Sequence, residues 1–174
     1  IMQKKQTLTQ ITTKALEGLG EVYEKAKPHI VLVHGDTSTT FVASLAAFYR
    51  QIRVGHVEAG LRTGNIYSPF PEEMNRKLTG VIADLHFAPT ETAKANLLRE
   101  GINPEKIFVT GNTVIDALLT TVRSDFKADQ IPGLEGVKFE NSRVLLVTAH
   151  RRENLGEPMR QIFQALREIV ELFP

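Results

Sequence analysis

The sequence predicts an α/β fold built on a Rossmann-like parallel sheet. Three observations predict it. Short, β-branched apolar runs recur at Ile30–Val33, Ile52–Val57, Leu85–Ala88 and Ile107–Val109. Between them lie stretches with helical spacing of about 10–15 residues, the alternation that marks βαβ units. The runs are nearly continuous in apolar character, as strands buried on both faces are.

The elements follow in order. Residues 5–26 carry Leu8, Ile11, Ala15, Leu16, Leu19, Val22 and Tyr23 at helical spacing, and Pro28 stops that helix. HIVLVHGDTSTT opens the first strand, and residues 39–49 read as a helix. IRVGHV is the second strand, and residues 61–70 form a loop. PEEMNRKLTGVIA starts a helix with Pro71 near its first position. LHFAPT is a third strand, ETAKANLLREG a helix closed by Gly101, KIFVTGN a fourth strand and TVIDALLTTVR a further helix. Residues 124–142 lack periodicity and carry Pro, Gly and charges, the signature of a linker. RVLLVTAHRREN then reads as a new strand, followed by a helical stripe from Met159 to Phe173. Residues 1–112 are expected to form an N-terminal Rossmann-like domain, and 113–174 a linker and the beginning of a second one.

Composition excludes several functions. The net charge of +1 gives no electrostatic case for nucleic acid or an anionic membrane surface. The absence of cysteine removes disulfides, thiolate zinc sites and a cysteine nucleophile. No run reaches the roughly 18 apolar residues of a membrane span. There is no H-x-x-x-H, Walker loop or G-x-G-x-x-G, so metal, P-loop and dinucleotide readings lack support. IMQKKQTLTQ shows no signal-peptide pattern.

In an open parallel sheet, ligands bind beyond the carboxyl ends of the strands. Three titratable clusters fall there: His34-Gly35-Asp36-Thr37, His56 with Glu58, and His150-Arg151-Arg152-Glu153-Asn154. Asp36 could cap the next helix, but Thr37, Ser38 or Thr39 could cap equally well and leave its carboxylate free. Glu58 ends a buried strand, where a carboxylate is costly unless paired or solvated. Arg62 is a possible structural partner for it, and Ala59-Gly60 would let a ligand approach the backbone. Glu72 and Glu73 suit a helix N-terminus, which explains at least one of them. His150, Arg151 and Arg152 are the expected phosphate contacts. His29, His34, His56 and His86 read as structural histidines. Several carboxylates and one basic cluster suit a diphosphate substrate with a proton-transfer site at its other end.

HGDTSTT, GHVEAGLRTGNIYSPFPEEMNRKLTG, TGNTVIDAL and TAHRREN follow one another in the order and at about the spacing of the non-hydrolysing bacterial UDP-N-acetylglucosamine 2-epimerases. The chain resembles that family over essentially its whole length, and TAHRRENLGEPMR is closest to the bacillus-type members. The resemblance implies two Rossmann-like domains arranged as in GT-B glycosyltransferases, with the cleft between them. It implies interconversion of UDP-N-acetylglucosamine and UDP-N-acetylmannosamine through a 2-acetamidoglucal, with no NAD or metal in the chemistry. It implies a cytoplasmic homodimer, activated by UDP-N-acetylglucosamine, that feeds cell-surface polysaccharide synthesis. Carried over by residue, the family's acidic active-site positions fall on Asp36, Glu58 and Glu72, and its histidine on His150. Asp36, Glu58 and His150 are also expected against the nucleotide-sugar, with Arg62, Arg151 and Arg152 positioning or neutralising it. Lys4, Lys5 and Gln6 are where regulatory contacts would be sought. The family's N-terminal G-T-[RK]-P-E loop and the uridine-binding half of the second domain are missing, and Ala149 stands where Gly is common. The 174 residues alone are therefore expected not to turn over. A hydrolysing epimerase, a GT-B glycosyltransferase and a non-catalytic nucleotide-sugar sensor are the rival readings, separable by product, by need for an acceptor, and by lack of turnover.

Overall fold

The computed structural model describes residues 6–127, 131–135, 137, 139, 143–150 and 154–173. It divides into two compact units, Ile1–Thr120 and Thr121–Pro174. In the first, four parallel strands lie in the order of the sequence: β1 (Ile30–His34), β2 (Arg53–Val57), β3 (Leu85–Ala88) and β4 (Ile107–Val109). The connecting helices are α2 (Ser38–Phe48), α3 (Glu72–Ile82) and α4 (Glu91–Arg99), preceded by α1 (Leu8–Ala26) and followed by α5 (Thr113–Thr121). α6 (Glu157–Leu172) lies in the second unit.

Local chemistry explains the boundaries. Thr7 and Gln10 close a reciprocal capping box on α1, and Lys27 turns left-handed just before Pro28. Thr37 caps α2 through the Thr40 N–H and Thr90 caps α4 through the Ala93 N–H. A turn of 3-10 helix, Pro104–Lys106, leads into β4.

The register aligns Val33, His56, His86 and Ile107 in one row across the sheet. That row is buried. Val33 and Val54 pack against Ala43, Ala46 and Ala47 of α2 and Tyr23 of α1. Ala88 and Ile107 pack against Ala93 and Leu97 of α4. The small residues of α2 bring its backbone close to the strands, which is how a helix without large side chains still fills the core.

Two expectations are corrected here. The strands are not buried on both faces. On the opposite face Leu32 is 63% exposed and Phe108 46% exposed, with Phe87 stacked on Phe108 at a centroid distance of 5.8 Å. Continuous apolar sequence marks the demand for cover on both sides, while α2 and α4 supply it on one. Second, residues 143–150 form no strand. Leu145 and Leu146 are 60% and 90% exposed. A strand is completed by a neighbour's hydrogen bonds, and no described segment pairs with this one. Among the described residues, no helix is long and apolar enough to cross a membrane.

Candidate active site

The site is built where β1 and β2 end. The Gly35 N–H donates to the Val57 carbonyl at 3.0 Å, so the loops leaving the two strands run side by side. Gly35 has φ 74°, and a Cβ there would lie 3.4 Å from Glu58 Oε2. The Glu58 carboxylate therefore rests over the residue before Asp36. Glu58 itself takes φ 66°, a left-handed conformation unusual for a residue with a side chain. Such strain persists where the surroundings enforce it, often at functional positions. What enforces it is the next turn. Ala59 is fully buried, its N–H donates to the Phe87 carbonyl at 3.0 Å, and Gly60 turns left-handed against α4. A Cβ at Gly60 would strike the Ala93 carbonyl, and Asn96 Nδ2 donates to the Gly60 carbonyl at 2.8 Å. The E-A-G sequence is thus a tight exit that begins with a carboxylate aimed at the neighbouring loop.

Asp36 is free of capping duty, which Thr37 performs. Its carboxylate instead accepts from Arg76 Nη2 at 2.6 Å, and its carbonyl from Asn75 Nδ2 at 2.9 Å. Arg76 Nη1 also donates to Glu73 Oε2 at 3.0 Å. Glu73 is fully buried, and its other oxygen accepts from the Thr63 and Gly64 N–H groups at 3.1 and 3.2 Å. Its charge is thus compensated by a guanidinium and two backbone donors, as burial demands. Glu72, one residue earlier, is half-buried, and its side chain makes no ion pair or hydrogen bond with another described residue. The two adjacent glutamates have opposite fates, one locked and one available.

The histidines differ from expectation. His34 is exposed and sits 3.6 Å from Glu58 Oε2, so it belongs to the site's margin rather than the core. His56 is buried, with Nε2 2.8 Å from the Gly35 carbonyl, which assigns the proton to that nitrogen. Burial pushes its pKa from 6.5 down to about 4, with the Gly35 carbonyl opposing. His86, beside it in the register, is fully buried and also pushed down by burial. Neither His86 nitrogen nor His56 Nδ1 has a well-aligned partner among the described residues.

Arg62 does not pair with Glu58. Its Nε and Nη2 form a bidentate pair with Glu100 at 2.8 and 2.7 Å, and Nη1 donates to the Leu61 carbonyl. That pair holds the Glu100 carboxyl below its usual range through the guanidinium hydrogen bond. Of the sequence-predicted residues, Asp36, Glu58 and Glu72 thus fall on three adjoining segments of the first unit, while Arg62 is engaged at the end of α4. His150 lies exposed in the second unit. Arg151 and Arg152 lie outside the described residues, as do Lys4 and Lys5. Sequence reasoning missed Glu73, Asn75 and Arg76. The Glu73–Arg76 spacing of i, i+3 on a helix was the available signal, whereas the 40-residue reach to Asp36 was not legible. Among the described residues, no three His, Asp or Glu side chains converge as metal ligands.

Fold and site define a Rossmann-like α/β protein with carboxylates gathered at the carboxyl ends of its first two strands. The family model for UDP-N-acetylglucosamine 2-epimerase matches residues 1–174, and the chain belongs to that family. It is 62% identical to the UDP-N-acetylglucosamine 2-epimerase of Bacillus subtilis over 99% of its length and 44% of the relative's. It is 55% identical to that of Salmonella typhimurium over 97% of its length and 46% of the relative's. Among solved structures, the Staphylococcus aureus MnaA–UDP complex aligns with TM-score 0.89 and 50% identity over 99% of this chain and 45% of that one. The Methanocaldococcus jannaschii UDP-GlcNAc 2-epimerase in complex with UDP-GlcNAc and UDP aligns with TM-score 0.79 and 42% identity over 97% of this chain and 46% of that one. The chain thus spans under half the length of these relatives.

Proposed function

We propose that the full-length protein carrying this chain interconverts UDP-N-acetylglucosamine and UDP-N-acetylmannosamine by inverting C2. The observation that carries the reading is the meeting of the Asp36 loop, the Glu58 loop and α3, which begins at Glu72, in a chain 62% identical to a UDP-N-acetylglucosamine 2-epimerase. A carboxylate removes the C2 proton, the C2–H electron pair forms the C1–C2 double bond, and the C1–O bond breaks to release UDP. The product is a 2-acetamidoglucal. UDP then adds back at C1 as C2 takes a proton on the opposite face. The chemistry needs a base on one face and an acid on the other, which two of these carboxylates supply. Glu58, strained and beside an exposed histidine, and Glu72, without a partner, have the freedom that proton carriers need. His150, Arg151 and Arg152 stabilise the leaving diphosphate, and Arg62 braces the loop after Glu58 through Glu100. The active protein is a cytoplasmic homodimer with two Rossmann-like domains, and the 174 residues alone do not turn over.

Incubating the full-length protein with UDP-N-acetylglucosamine in D2O tests this by proton NMR. The expected result is UDP-N-acetylmannosamine with deuterium at C2. Free N-acetylmannosamine would replace the reading with a hydrolysing epimerase. An unchanged sugar with retained UDP affinity would replace it with a binding protein or a transferase.

A further inference from the structure

We propose that Arg76 is the positioning residue of this site: it holds Asp36 in its working orientation, with Glu73 as the counter-anchor that keeps Arg76 in place. The inference deepens the epimerase reading and rests on it. The geometry begins with one guanidinium shared between two carboxylates. Nη2 donates to Asp36 Oδ2 at 2.6 Å and Nη1 to Glu73 Oε2 at 3.0 Å. The Arg76 side chain is 14% exposed, so the fork is held by protein rather than by water. A planar guanidinium fixes the direction of both partners, which an ammonium does not.

Glu73 makes the arrangement rigid. Its side chain is fully buried, and its second oxygen is committed to the backbone N–H groups of Thr63 and Gly64. Those residues belong to the same loop as Glu58. α3 thus grips both strand exits at once: the Glu58 loop through Glu73, and the Asp36 loop through Arg76 and Asn75. No described group donates to Asp36 Oδ1, which leaves one oxygen of the anchored carboxylate for a substrate. A pair serving folding alone would need no second carboxylate at a strand end, where Thr37 has already capped the helix.

The test uses the full-length protein. Arg76→Lys keeps the charge beside buried Glu73 and loses the fork, so it is the variant expected to fold. Its kcat should fall about 100-fold, the usual scale for misplacing a reacting group by an ångström. UDP affinity should stay within about 2-fold, because Arg76 meets carboxylates and not phosphate. Asp36→Asn combined with Arg76→Lys should be no slower than Asp36→Asn alone, since a positioning residue has nothing left to position. Millimolar guanidinium should restore part of the activity of Arg76→Ala. Wild-type kcat in Arg76→Lys, or losses that multiply in the double variant, would overturn the proposal. A loss confined to UDP affinity would also overturn it and make Arg76 a substrate contact. If the wild-type protein itself exchanges no C2 hydrogen, the epimerase reading fails and this role falls with it.

Discussion

Residues 30–37, IVLVHGDT, and residues 144–151, VLLVTAHR, are written in the same grammar. Each is an apolar β-branched run that ends in a histidine and a charged residue. In the first unit Ile30–His34 is a strand, with Val33 95% removed from solvent and every residue in register with β2. In the second unit residues 143–150 pair with nothing described, and Leu146 is 90% exposed. Apolar pattern states what a segment requires. A neighbour at hydrogen-bonding distance decides whether it becomes a strand. Because the chain spans 44–46% of the relatives' length, the neighbours of the second run are to be sought in the rest of the protein.

If both runs deliver residues to one reaction, Asp36→Asn and His150→Asn should each cripple the full-length enzyme. Asp36→Asn should lower kcat by about 1,000-fold, or about 4 kcal/mol of transition-state stabilisation. His150→Asn should cost about 10–100-fold and weaken UDP binding as well. An unimpaired His150→Asn enzyme would confine the chemistry to the first unit. Hydrogen exchange sharpens the same point. The amides of Leu145 and Leu146 should exchange at near-unprotected rates in the 174-residue chain and about 1,000-fold more slowly in the full-length protein. Equal rates in both would show that the second run is not a strand in either.

Acid should separate the units next. His56 is neutral in the folded chain because burial lowers its pKa from 6.5 to about 4. The unfolded chain takes up the proton first as pH falls. The stability this group confers is therefore complete above about pH 6.5, declines below it, and is gone near pH 4. A depression of that size corresponds to about 3 kcal/mol at most. His86 is shifted in the same direction and deepens the loss. Urea unfolding of the first unit should lose that stability between pH 6.5 and 4, and His56→Gln should flatten the slope. A slope unchanged in the variant would assign the acid sensitivity elsewhere.

How much of this could be read from residues alone follows from range. The four strands of the first unit and the order of its helices were legible because periodicity is local, and Asp36, Glu58 and Glu72 were singled out by local motifs while their roles remain proposals. Thr37 as cap was one of several open choices, settled by its own backbone geometry. The Arg62–Glu100 pair spans 38 residues and the Arg76–Asp36 pair 40, and nothing local announces either. The bare sheet face escaped for a related reason. Leu32 and Val33 look equally apolar, and only the packing of α2 onto one side makes them 63% and 5% exposed.

Core substitutions extend the comparison to smaller energies. Val33→Ala should destabilise the first unit by about 2 kcal/mol through lost burial and a residual cavity. Leu146→Ala should change the 174-residue chain by less than about 0.5 kcal/mol, because an exposed side chain leaves no cavity. In the full-length protein it should cost about as much as its first-unit counterpart. A null effect there would say that the second run stays outside any core.

The smallest effect distinguishes fold from function within a single turn of chain. Thr37 accepts from the Thr40 N–H at 3.3 Å, and its neighbour Asp36 does not cap. Thr37→Ala should therefore cost about 1 kcal/mol of stability, read as a lower melting temperature, with kcat held within a few-fold once the protein is folded. Thr37→Ser should recover most of the loss, since its hydroxyl can reach the same N–H. If Thr37→Ala instead leaves the melting temperature unchanged and lowers kcat as Asp36→Asn does, then the capping hydroxyl belongs to the site. The division of labour between these two adjacent residues would then be wrong. The first run would owe its function to the whole strand exit rather than to a carboxylate relieved of capping.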